Sequence, residues 1–287
     1  MTNRLSASAV RSLVCLGGAL LLSTHLARAQ DPDPIETAFP LDDITERSVV
    51  SERQVLAYPP IREADILWEK RIWRVVDVRE KMNLPFAAPE SPLFSILSNA
   101  AMQGEISVYS TEDDKFSKRL SSADVKAMLF TIDSIWVWDP DTDQEVLKIV
   151  ENETNWEDVK RFRIKESWFF DTRTSTLRHR ILGIAPLLDV VDEEGNFRYE
   201  MPLFWVYYPA ARPALARHKA ITNGANWAAT TTWEDIFERR QFASFITKEN
   251  NVQDLRLQDL YSGLDLLMQS ERIKNELFAL EHDLWSW

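Results

Sequence analysis

Cysteine is almost absent: Cys15 is the only one in 287 residues. A lone thiol permits neither a disulfide framework nor a thiolate metal site. Glycine is scarce as well, with seven residues and no P-loop or G-x-G-x-x-G pattern among them, so no backbone cradle for a nucleotide phosphate is legible. Histidine is limited to four residues, none within helical reach of another, which excludes an H-E-x-x-H zinc site. No G-x-S-x-G nucleophile elbow occurs. Cations are outnumbered, 33 Lys and Arg against 45 Asp and Glu for a net charge of −12, and they form no run. Nucleic acid and anionic membranes are recruited by clustered cations, so neither is an expected partner. Nor does any apolar run approach the roughly 18 residues of a membrane-spanning helix. What remains, 45% apolar and 27% charged residues, is the composition of an ordinary globular protein.

The first 29 residues read as an export signal. Arg4 and Arg11 give a positive start, Leu13 to Leu22 is apolar or small, and Ala27-Arg28-Ala29 is an A-x-A cleavage site ahead of Gln30. Val14 precedes Cys15 and the apolar run continues past it, which is not the pattern of a lipidated cysteine. The expected product is exported, begins at Gln30 and carries no lipid. It also loses three arginines and no acid, so it is more acidic than its precursor.

Residues 30–62 contain five prolines and little apolar periodicity, which predicts an extended arm. A flexible linker and an arm that docks on a neighbouring subunit both fit that pattern. Beyond it, residues 63–220 predict an α+β core with mostly antiparallel pairing, and residues 221–287 a helical C-terminal region of the same domain. Within the core, a short helix to Glu69 precedes a strand from Arg71, where β-branched residues gather. Ser91-Pro92 opens a helix to Gln103, and Gly104 takes the left-handed position after it. Ser121 with Asp124 forms a capping box for a second helix. Strands follow at Ile106–Tyr109, Ile132–Trp138, Glu145–Val150, Arg161–Asp171, Leu177–Pro186, Leu187–Val191 and Tyr199–Tyr208. In the C-terminal region Thr232 caps a helix whose face carries Trp233, Ile236, Phe237 and Phe245. A last helix spans Leu257 to Trp285, with Leu260, Leu264, Leu267 and Met268 as its apolar stripe and a break near Ser270.

Chemistry is harder to find. Asp139, Asp141 and Asp143 imitate a calcium loop, but Gln144 stands where the sharp turn needs glycine and Val150 where the bidentate glutamate belongs. Any two of the many acids could be paired as a glycosidase acid and base, and spacing favours no pair. No catalytic, cofactor or metal residue is assigned. The unusual feature is eleven tryptophans, a residue enriched in sugar-stacking sites and at protein interfaces.

Several separated blocks resemble the GldN/PorN family of gliding-motility proteins. They are Asp65-Ile66-Leu67-Trp68-Glu69-Lys70-Arg71-Ile72-Trp73-Arg74 with Arg79-Glu80-Lys81-Met82-Asn83, then Trp168-Phe169-Phe170-Asp171, and Pro202-Leu203-Phe204-Trp205-Val206. Trp233-Glu234-Asp235-Ile236-Phe237-Glu238 and Glu281-His282-Asp283-Leu284-Trp285 close the series. Asn223-Gly224-Ala225-Asn226-Trp227 departs from the family pattern. The resemblance implies a non-enzymatic subunit of a periplasmic ring in the type IX secretion system, without cofactor. Its implied partners are an outer-membrane lipoprotein of GldK/PorK type, a GldM/PorM-type shaft and further copies of itself. Trp68 and Trp73, in the most family-like block, are the candidate partner anchors, with burial in the subunit core as the alternative. An exported carbohydrate-binding protein or glycosidase, or a small-ligand binding protein, are the competing classes.

Overall fold

The computed structural model describes residues 44, 47–139, 144–192, 194, 196–222, 226 and 228–285. The export signal with Cys15 and the cleavage point, the first part of the arm, Asp141 to Asp143, Asn223 to Ala225, Trp227 and Trp287 lie outside the described residues. The chain divides into two units between Glu46 and Arg47, and the architecture below is that of the second.

In chain order its elements are β1 (Ile66–Asp77), α1 (Leu93–Met102), β2 (Val108–Tyr109), α2 (Ser122–Leu129), β3 (Phe130–Asp139), β4 (Gln144–Glu153), β5 (Val159–Asp171) and β6 (Thr176–Val191). There follow β7 (Phe197–Pro202), β8 (Trp205–Tyr207), α3 (Tyr208–Ala216), α4 (Trp233–Glu238), β9 (Phe245–Glu249), α5 (Leu257–Leu260) and α6 (Gly263–Trp285). The main sheet has seven strands in the order β2-β8-β6-β5-β1-β9, with β7 pairing a further stretch of β6. Every pair is antiparallel, and β3 with β4 forms a separate two-stranded sheet. The molecule is α+β, with helices flanking an antiparallel sheet, as the alternating and helical patterns predict.

Central position explains the burial of β1. Up to Arg71 it alternates half-buried and exposed, whereas Ile72 to Val76 are buried on both faces between β5 and β9. The main core joins Leu93, Phe94 and Leu97 of α1 to Phe162, Ile164 and Ile184 of the sheet and to Tyr208, Leu215, Trp233 and Phe237 of α3 and α4. Phe86 stands at its centre, edge-on to Trp233 at 5.1 Å and to Phe237 at 5.9 Å. A second, smaller cluster lies under α6, where Ile72 and Ile246 meet Leu257, Ile273 and Leu277.

Local signals locate their elements well. Ser121 and Thr232 each cap a helix reciprocally with Asp124 and Asp235, and Gly104 takes φ +74° after α1. Several details differ from the sequence pattern. The strands expected separately at Leu177–Pro186 and Leu187–Val191 are the one strand β6, and the strand expected over Tyr199–Tyr208 is two, β7 and β8. The helix expected to reach Glu69 is a single 3-10 turn, Glu63–Asp65, because β5 offers β1 a full ladder from Ile66 onward. Ser91 does not cap α1; its hydroxyl donates instead to the Lys219 carbonyl at 2.9 Å. The strand expected to end at Tyr208 gives way there to α3, which Pro209 in the first turn initiates. Phe245 belongs to β9 rather than to the face of α4, since β1 has a free edge to pair it. The last helical segment breaks at Tyr261, not Ser270, and α6 is continuous. Ser270 is buried, and its hydroxyl accepts the Ile246 amide of β9 at 2.9 Å.

Candidate functional site

Both β1 and β5 bury charged side chains, and two of these, Arg74 and Glu166, meet in space. Glu166 of β5, with no exposed surface, accepts from Arg74 Nε of β1 at 3.0 Å and from Arg240 Nη1 at 2.8 Å. Trp168 Nε1 donates to the same carboxylate at 2.9 Å. Burial alone would push Glu166 up, but Arg240 and Arg74, aided by the Trp168 and Arg240 hydrogen bonds, hold it below the usual carboxylate range. The Trp168 ring is flanked by Arg240 at 5.2 Å and Arg74 at 5.9 Å, and His179 packs on it with centroids 5.1 Å apart. Burial, then Arg240, lowers the His179 pKa, so the imidazole is neutral at pH 7.

Beside this cluster opens a cavity of about 430 Å³, lined by Arg74, Trp168, Arg240, Phe245, Leu277 and Phe278 among others. Glu80 and Glu271 are the acids that line it, while Glu166, engaged by two guanidiniums, and His179, packed on the Trp168 ring, stand outside the lining. The Glu166 cluster ties β1 and β5 to Arg240, which follows α4. Among the described residues no group of three His, Cys, Asp or Glu side chains could hold a metal ion.

A second polar constellation fastens residues 53–60 to α3 and α4. Arg53 donates from both terminal nitrogens to Asp235, at 2.5 and 2.8 Å. Tyr58 donates to Glu238 at 2.5 Å, and its ring lies between Arg212 at 3.9 Å and Arg180 at 4.7 Å. The same two arginines donate to the Leu56 and Pro59 carbonyls at 3.0 and 2.7 Å. Burial and the Glu238 bond together push the Tyr58 hydroxyl well above its ordinary range. Residues 53–60 of the proline-rich arm therefore pack on the same chain.

The two anchor candidates sit on opposite faces of β1, as their five-residue separation in a regular register requires. Trp73 is 6% exposed and packs with Ala185 and Trp205. Lys248 and Lys165 stand over its ring at 4.5 and 5.5 Å. Its position is that of the core alternative. Trp68 is half-buried and packs against the cluster under α6. The structure does not bring the two together. Sequence reasoning missed Arg53, Tyr58, Arg74, Glu166 and Arg240. A signal existed for one of them: Arg74 within Ile72-Trp73-Arg74-Val75-Val76 is a charge inside an apolar run, a pattern that buried pairing explains, whereas Glu166 follows Lys165 in a stretch of β5 rich in charge.

A family model described as gliding motility associated protein GldN matches residues 61–286. No curated protein matches the chain.

Proposed function

The chain belongs to the GldN family of gliding-motility-associated proteins, and on that premise we propose that it is a non-enzymatic structural subunit of a periplasmic ring. The ring contains repeated copies of this chain together with an outer-membrane lipoprotein, and it engages the periplasmic shaft of the type IX secretion machinery. The observation that carries this reading is the extent of the family match, which spans the sheet and the helices that flank it. Supporting it, the polar clusters of the fold are spent on mutual pairing: Glu166 between two arginines, Asp235 with Arg53, and Glu234 with Arg212. A closed ring needs heterologous contacts repeated around an axis, and a subunit built for contact needs no reactive centre. Export with cleavage after Ala29 supplies the compartment.

The carbohydrate-binding alternative requires an open aromatic platform. Trp168, the tryptophan of the cleft, is instead flanked by two guanidiniums and an imidazole.

The test is co-purification of the exported protein from detergent-solubilised envelopes. A stoichiometric complex with an outer-membrane lipoprotein is the expected result. Recovery of the protein as a free monomer, with the lipoprotein eluting elsewhere, would overturn the ring reading.

A further inference from the structure

Helix α6 carries two apolar faces, and the fold covers one. Its 23 residues extend about 34 Å at 1.5 Å per residue. Ser270, Ile273 and Leu277 are buried, with Leu266 partly so, and this seam packs on β9 and β1. At 100° per residue, Leu264 and Met268 fall on the opposite side and Leu267 on the flank between them and the seam. Leu264, Leu267 and Met268 are 72%, 57% and 61% exposed. Leu260 at the end of α5 adds another side chain at 56%, and Phe278 extends the exposed apolar surface toward the other end at 58%. Three large apolar side chains at i, i+3 and i+4 on a solvent face are the spacing with which a helix meets a second partner, and a helix apolar on both sides is ordinarily sandwiched.

Charge selects the kind of partner. From Leu257 to Trp285 there are six acids against two Lys or Arg. Both cations are engaged within the helix, Arg272 with Glu276 at 3.6 Å and Lys274 with Glu271 at 3.5 Å. Asp259 and Asp265 are exposed beside the apolar stripe, and neither is among the partners of those two cations. A second copy of α6 laid on this face would bring like charges together, and an anionic lipid surface would be repelled in the same way. An apolar strip bordered by lysines or arginines would gain on both counts.

We propose that the outer face of α6, centred on Leu264, Leu267 and Met268, is the docking surface for a basic amphipathic helix of a partner protein. The inference goes beyond the ring reading and is decided on the isolated subunit, so its failure and that of the lipoprotein complex are distinguishable.

The probe is a labelled leucine–lysine amphipathic helical peptide of roughly five turns, with a leucine–glutamate peptide of equal length as its counterpart. Fluorescence anisotropy against the purified exported protein should show saturable binding of the first and none of the second. The double variant Leu264→Glu, Leu267→Glu adds negative charge, so attraction by charge alone would strengthen binding. Docking on the apolar stripe predicts weakening by about tenfold or more. Both positions are exposed, and the variant should keep its melting transition. If it does not, Leu264→Gln with Met268→Gln serves the same comparison. Equal or tighter peptide binding by the folded variant overturns the proposal. So does a parent dimer that the variant renders monomeric, which would make a second copy the occupant. Parent protein that sediments with phosphatidylcholine–phosphatidylglycerol vesicles, where the variant does not, would assign the face to lipid and overturn it equally.

Discussion

Glu166 is ionised inside the sheet because two guanidiniums and an indole N–H replace the water that burial removed. Its folded pKa lies below the ordinary 4.5, so the unfolded chain binds the proton more readily. The stabilisation is therefore complete above the unfolded value and is lost as pH falls through the folded one. Urea midpoints should drop as pH falls below about 4.5, and Glu166→Gln should flatten that part of the profile. At neutral pH the same substitution leaves Arg74 and Arg240 without their counter-charge and should cost about 3–5 kcal/mol. The tryptophans of β1 separate in the same measurement. Trp73→Ala empties a buried site and should cost about 3–5 kcal/mol of unfolding free energy. Trp68, half-buried, should cost roughly half as much when truncated. Equal losses at the two positions would contradict the burial difference between them.

At the scale of elements, the arm is the informative case. Residues 53–60 form no helix or strand and gain little from burial, with Leu56 88% exposed. Charge-assisted hydrogen bonds and cation–π contacts hold them, and both weaken with salt or solvent access. Arg53→Ala should lower stability by about 1 kcal/mol, because the Arg53 side chain is one-third exposed and the pair is partly screened. Limited proteolysis should then cut within 47–62 sooner than in the parent, with the sheet left intact. Unchanged cleavage would mean that Tyr58, between its two arginines, anchors the segment alone. In acid the same release is expected. Burial works against Asp235, but its bonds to Arg53 and Thr232 hold its pKa low, so the clasp persists at neutral pH and weakens as the carboxylate takes up a proton. Capping boxes and the Gly104 turn were legible because each is written in four or five consecutive residues. The membership of β9 was not, since Phe245–Glu249 becomes a strand only through the edge that β1 offers it.

For the whole molecule, the expected exported product begins at Gln30 and carries no lipid, and intact mass of the secreted protein checks both points at once. A mass that includes a diacylglyceryl group on Cys15 would contradict them. Residues within the sequence itself determined the exclusions, the α+β class, the helix starts and the family blocks, because these depend on composition and on neighbours a few positions apart. Tertiary structure alone decided which side of each apolar element is covered. The sequence marks Leu260, Leu264, Leu267 and Met268 as a stripe as strong as any in the chain, yet β9 and β1 take another seam, through Ser270, Ile273 and Leu277. Arg74, Glu166 and Arg240 are likewise unrelated in sequence, 92 and 74 positions apart, until the sheet brings them within hydrogen-bond distance. Periodicity shows that a face is apolar or that a charge is out of place. Only the long-range pairing of strands shows what comes to cover the one and neutralise the other.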